Sequence, residues 1–192
     1  MMIKKNDFVL IKKDYNDIEV NSVGIVKKIS LDKKTITVFI IGKNINVNLH
    51  VKFVKYLEVT KTGKPHEYKI CNVCHILKKD FEDFDINQTD AKGRKTTRPT
   101  CKSCRKKIDG VKLKSKENER LDKIKPTYFF ICPICKKGSI PNITANLVKD
   151  HDHLTGNARE WICDSCNTGL GRFKDDIKLL KRAIKYLEKY SK

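Results

Sequence analysis

Residues 149–169 read KDHDHLTGNAREWICDSCNTG and hold two acid–imidazole pairs, a turn, a CxxC pair and an asparagine. Cys163 and Cys166 join Cys132 and Cys135 as four soft thiolate donors, enough to fill a tetrahedral Zn²⁺ shell without a histidine. His151 and His153 are then free for other work. A neutral imidazole can take a proton from water near neutral pH, the act of a general base. Asp150 and the side-chain oxygen of Asn167 are hard oxygen donors, the kind Mg²⁺ accepts while it keeps several waters and a substrate phosphate.

The same cysteine spacing occurs once more upstream. Cys71, Cys74, Cys101 and Cys104 form a CxxC, a 26-residue excursion and a second CxxC; the later quartet repeats this with an excursion of 27, starting 61 residues on. This is an internal repeat, and it predicts two structural zinc sites. Setting the second CxxC pairs in register places Asp150 opposite Gln88, His151 opposite Thr89, His153 opposite Ala91 and Asn167 opposite Arg105. The cysteines repeat; the acids, imidazoles and amide do not. The first repeat is therefore expected to be scaffold, with Arg94, Lys95, Arg98 and Arg105 suited to DNA contact, and the second to carry added chemistry.

The elements that must position these residues follow from local pattern. LVKDH reads as a strand ending at the acid–imidazole pair, HLTGNA as a turn, REWIC as a returning strand, and Asn167 falls at the start of a helix. Regular alternation would send Asp150 and His151 to opposite faces, so the strand must end or bulge there. Upstream, DFVLIKK, SVGIVKKISL, KTITVFII and NINVNLHVKFV are β-branched or aromatic runs broken at LDKK and GKN, which predicts a small closed or half-closed antiparallel β-barrel. The polar stretch 104–126 is helix-compatible and reads as a linker helix. Ile177, Leu180, Ile184 and Leu187 recur at helical spacing and predict a C-terminal packing helix. The expected fold is α+β: a barrel over 1–62, a first zinc repeat with linker over 63–125, and a second zinc repeat with the C-terminal helix over 126–192.

Lys plus Arg outnumber Asp plus Glu by 42 to 23, a formal charge of +19 that points to a polyanionic partner. With no apolar run of membrane-spanning length and a charged N-terminus, a soluble, cytoplasmic protein without a membrane partner is expected. Eight cysteines in a reducing compartment favour metal over disulfides.

From CPIC through DHDHLTG and Arg159 to CDSCNTGLG, about residues 128–173, the chain resembles the recombination endonuclease VII group of ββα-metal (His-Me finger, HNH-like) nucleases. The whole arrangement, barrel plus two zinc-ribbon ββα-type repeats, resembles small dimeric type II restriction endonucleases of that class. The resemblance implies His151 as general base for water, Asp150 and Asn167 as ligands of one Mg²⁺ or Mn²⁺ that meets the scissile phosphate and the leaving 3′ oxygen, and 5′-phosphate products. It gives His153 and Asp152 a supporting role, while Arg159 could touch a phosphate. A homodimer cutting double-stranded DNA at a short palindromic site is the expected function. A Holliday-junction resolvase would use the same centre, and a nonenzymatic zinc-ribbon DNA binder would account for the charge and cysteines.

Overall fold

The computed structural model describes residues 2–191, and the chain divides after Lys107 into two compact units. In the first unit, β1 (Phe8–Ile11), β2 (Val23–Ile29), β3 (Thr35–Ile40), β4 (Ile45–His50) and β5 (Val54–Tyr56) form one antiparallel sheet of order β4-β3-β2-β1-β5. Val9, Ile11, Val26, Ile36, Val38, Ile40, Leu49 and Val54, drawn from all five strands, pack into one core. A sheet that encloses a core with a single face must curl, and the bulge between Val26 and Lys28 of β2 sharpens that curl. β4 and β5 do not pair, so the barrel is half-closed. FVLI of β1 does not alternate because both of its faces are covered: Leu10 packs with Val23 and Leu57 against Ile70 and Leu77 of the first repeat.

The first repeat runs β6 (Tyr68–Ile70), β7 (Leu77–Lys79), α1 (Asp80–Asp83), β8 (Phe84–Thr89), β9 (Lys95–Cys101) and α2 (Lys102–Asp109). In the second unit, α3 (Ser115–Lys123) precedes β10 (Phe130–Ile131), β11 (Gly138–Ser139), β12 (Leu147–His151), β13 (Ala158–Cys163), α4 (Asp164–Arg172) and α5 (Ile177–Glu188). β8-β9-α2 and β12-β13-α4 are the same ββα unit at the same distance from the cysteines. Both hairpins are antiparallel, and each is irregular.

Two expectations are corrected. The polar stretch 104–126 is not one linker helix: it breaks at Gly110 (φ 60°) into α2 and α3. α3 is a packed element, since Leu121 is fully buried and its carbonyl accepts the Trp161 indole N–H at 2.8 Å. Burying that leucine contributes about 2 kcal/mol. In α5, Ile177, Ile184 and Leu187 stay exposed; only Leu179, Leu180 and Ala183 are half-buried. The stripe has helical spacing, but no described residue of its unit covers most of it. No helix among the described residues is long and apolar enough to cross a membrane.

Candidate active site

The eight cysteines come together as the spacing requires. In each quartet the Sγ atoms lie within 4.8 Å of one another, with Cys135 and Cys163 at 3.9 Å. A tetrahedron of Zn–S bonds near 2.3 Å needs S···S separations of about 3.8 Å, so both clusters could hold zinc. The knuckles are built alike: His75 and Lys136 both sit in the left-handed region (φ 52° and 58°), and their N–H groups return to the carbonyls of Cys71 and Cys132. Burial opposes ionisation of Cys71 and Cys132, but backbone N–H groups aimed at the sulfurs outweigh it and pull the thiols down to about 7 and about 6. Burial pushes Cys104 up to about 11 and Cys166 up to about 12. Cys71 and Cys132 are thus held toward the thiolate, and a bound cation would supply the charge that Cys104 and Cys166 need in order to ionise.

Between these knuckles, the β12–β13 ladder slips between Lys149 and His151. Lys149 pairs with Trp161, but His151 pairs with Ala158, so β13 carries one extra residue opposite Asp150, and β12 itself ends at His151. Asp150 is 6% exposed. Its two carboxylate oxygens lie 3.3 and 3.1 Å from Arg159 Nη1, and the bulged part of β13 supplies that arginine. Burial would lower the Arg159 pKa; hydrogen bonds to Asp150 and Asp175 outweigh it and raise it. His151 is half-buried, and its Nε2 is one of two buried side-chain polar atoms without a hydrogen-bond partner among the described residues. An orphaned imidazole nitrogen next to a buried carboxylate suits a site whose remaining partner is a substrate, water or cation.

His153 stacks on His151 with ring centroids 4.7 Å apart. Its Nδ1 lies 2.8 Å from the Asp109 carbonyl oxygen. A carbonyl only accepts, so Nδ1 carries the hydrogen. The turn between the strands is tied by Asp152, which accepts from the N–H groups of Leu154 and Thr155; these bonds, the Thr155 one foremost, hold its carboxyl below the usual range. A strap from the inter-repeat segment lies across the turn: Val111 N–H donates to His153 O at 2.7 Å and Lys114 N–H to Gly156 O at 3.0 Å. Both crossing points are glycines for a physical reason. A Cβ on Gly110 would meet the His153 carbonyl oxygen at 2.2 Å and one on Gly156 the Lys112 carbonyl oxygen at 2.5 Å, and both residues have positive φ.

Asn167 lies one turn into α4, beyond the Cys163 N-cap, and is half-buried. α4 packs against β12 and β13, and Asp164 N–H donates to Asn146 O at 3.0 Å, so the zinc knuckle fixes where this turn begins. The basic residues of the first repeat have other positions. Arg94 and Lys95 are exposed at the β8–β9 turn, where Arg94 pairs with Asp90 at 2.7 Å; Arg98 is half-buried on β9 and Arg105 half-buried on α2.

Comparison with known proteins fits this geometry. Residues 58–110 match the model of the His-Me finger endonuclease beta4-alpha2 domain, and residues 110–189 that of recombination endonuclease VII. The crystal structure of the ββα-Me type II restriction endonuclease Hpy99I is 52% identical, with a TM-score of 0.89 over 98% of this chain and 100% of that one. The chain belongs to the ββα-Me type II restriction endonuclease family. The curated Gene 59 protein of Mycobacterium phage D29 is 42% identical over 59 residues, 30% of this chain; the match spans only about a third (34%) of that relative. As a family member the chain is a nuclease, and its partner is DNA.

Two parts of this ββα-Me centre escape sequence reasoning. One is the strap; a glycine after α2 was its only trace. The other is Asp175, whose Oδ2 lies 3.1 Å from Arg159 Nη1 and 3.9 Å from His153 Nε2. Its neighbour Asp176 caps α5 by accepting from Lys178 and Leu179 N–H, so of two adjacent acids before a helix only one serves the helix.

Proposed function

We propose that this protein hydrolyses the phosphodiester bonds of double-stranded DNA at a short palindromic site, acting as a homodimer and leaving 5′-phosphate ends. What carries this reading is the whole-chain likeness to a type II restriction endonuclease, combined with a second repeat that alone holds acid, base and amide. The eight cysteines hold two structural Zn²⁺. His151 takes the proton from the attacking water. Its position beside His153, whose Nδ1 is anchored by the Asp109 carbonyl, restricts how the two rings can turn. Asp150 and Asn167 hold one Mg²⁺ or Mn²⁺. The donor set fits: the Asp150 carboxylate is buried with only a guanidinium on its two oxygens, and hard oxygen donors suit this cation. When bound, the cation stabilises charge on the scissile phosphate and the leaving oxygen. Arg94, Lys95, Arg98 and Arg105 contact DNA from the first repeat, and their phosphate contacts would position the duplex rather than read its bases.

The test is incubation of the zinc-loaded protein with linear duplex DNA and Mg²⁺. A discrete fragment ladder with 5′-phosphate ends is expected. Cutting confined to four-way junctions would replace this reading with a resolvase of the endonuclease VII type, and binding without cutting in any divalent cation would leave only a DNA binder.

A further inference from the structure

Two carboxylates near Arg159 have no part in the proposed reaction: Asp152, 3.9 Å from Nη2 and committed to the turn, and Asp175. Asp175 follows α4 in the left-handed region (φ 52°), its N–H is tied to Leu170 O at 3.1 Å, and its side chain is only 17% exposed. A left-handed, largely buried aspartate is held in place by its surroundings. Arg159 Nη1 lies 3.1 Å from Asp175 Oδ2 and 3.1 Å from Asp150 Oδ2. That nitrogen bears two hydrogens, one for each carboxylate. The two acids come from separate elements, the end of β12 and the turn after α4, and they meet only through this guanidinium.

An arginine cannot discharge itself by losing a proton, so it is a permanent cation between two carboxylates. A divalent cation arriving at Asp150 meets it as a like charge within contact distance. Without Asp175, a guanidinium leaving Asp150 would lose its buried partner, which is costly. With Asp175, it keeps one carboxylate throughout.

We propose that Asp175 is a positioning residue that makes Arg159 a displaceable counter-ion of Asp150: the guanidinium neutralises Asp150 while no divalent cation is bound, and moves onto Asp175 alone when one binds. This deepens the reading of Asp150 as a cation ligand and rests on it.

The experiment titrates zinc-loaded protein, without DNA, with Mn²⁺ and reads free Mn²⁺ by electron paramagnetic resonance. Removing the competitor in Arg159→Gln should tighten Mn²⁺ binding about tenfold, within the usual range for coupling between two ligands. Asp175→Asn should weaken it about threefold to tenfold, because Asp150 is then the one carboxylate within hydrogen-bond distance of Arg159, Asp152 lying 3.9 Å from its Nη2. Asp175→Asn placed on Arg159→Gln should change nothing further. Unchanged affinity in Arg159→Gln overturns the proposal. So does an equal weakening by Asp175→Asn with and without Arg159, since Asp175 would then act merely as a distant negative charge. Asp150→Asn separates the two layers: full Mn²⁺ affinity there removes the ligand reading itself, whereas lost affinity together with a silent Arg159→Gln removes only the counter-ion. If Arg159→Gln does not melt as a folded protein, Arg159→Lys takes its place. An ammonium keeps the charge but lacks the fork that serves two carboxylates, so Asp175→Asn should have less effect on that background than on wild type, and an undiminished effect overturns the proposal.

Discussion

β9 carries Thr97 where β13, in the register that places Cys101 on Cys163, carries Arg159, and the two side chains close a buried carboxylate in opposite ways. In the first repeat the Thr97 hydroxyl donates to Asp80, which is 2% exposed, while Lys69 Nζ reaches Thr97 Oγ1 at 2.7 Å, the Arg98 carbonyl at 2.9 Å and Asp80 at 3.8 Å. Every member of that group has a partner within the first unit, and the carboxylate is sealed. In the second repeat Asp150 relies on a guanidinium that it shares with Asp175, and the imidazole beside it keeps an unpartnered nitrogen. A scaffold can satisfy its buried charge once and permanently. A site has to leave that charge open to exchange; in the first repeat the equivalent strand position serves a carboxylate from α1, outside the ββα unit, and in the second it serves one from within that unit.

The comparison can be tested by removing what the repeats share and then what they do not. The largest effect should come from stripping the metals: with structural zinc worth about 10 kcal/mol or more in small domains, a chelator should abolish cleavage and melt the hairpins, seen as loss of two zinc ions by elemental analysis and loss of the circular dichroism signal. Replacing Cys132 by Ala alone should leave one zinc and no activity. His151→Ala removes what only the second repeat has, and single-turnover cleavage should fall by about 10²–10⁴-fold while zinc content and DNA binding remain. Residual cutting near the wild-type rate would mean that the unpartnered nitrogen is not the base. Asp80→Ala does the reverse: it strands Lys69 and should lower stability by about 3 kcal/mol in urea unfolding while the cleavage rate of the folded fraction holds. Smallest is Gly110→Ala, which forces a Cβ toward the His153 carbonyl at a positive φ. About 1–3 kcal/mol of strain is expected, with a cleavage rate that falls more than the melting temperature implies, since the strap supports the turn rather than the core.

Much of this was legible before any coordinates. Cysteine spacing gives away both metal clusters because ligand geometry leaves few alternatives. The clash between β alternation and the Asp150–His151 pair required the strand to end or bulge there; β12 ends at His151, and the bulge lies opposite, on β13. What stayed hidden was tertiary. Asp175 and Asp176 read alike, as acids favouring a helix N-terminus, and only the turn after α4 sends one to cap and the other to Arg159. Leu121 stood alone in a polar stretch, with no periodic apolar partner to betray that α3 is packed. In α5 the reverse occurred: the periodicity was plain, but spacing reports a face and not what covers it.

The strap at residues 109–114 bears on how such a protein can be taken apart or rebuilt. Sequence repetition marks the cysteine quartets as the units a gene could duplicate or exchange. Yet the nuclease turn leans on the segment just upstream of its own repeat, through the Asp109 carbonyl, the Val111 amide and the Lys114 amide. The smallest transplantable cassette is therefore a repeat together with its leader. A crossover placed neatly at CPIC, Cys132–Cys135, would carry Asp150, His151 and Asn167 across and leave their brace behind.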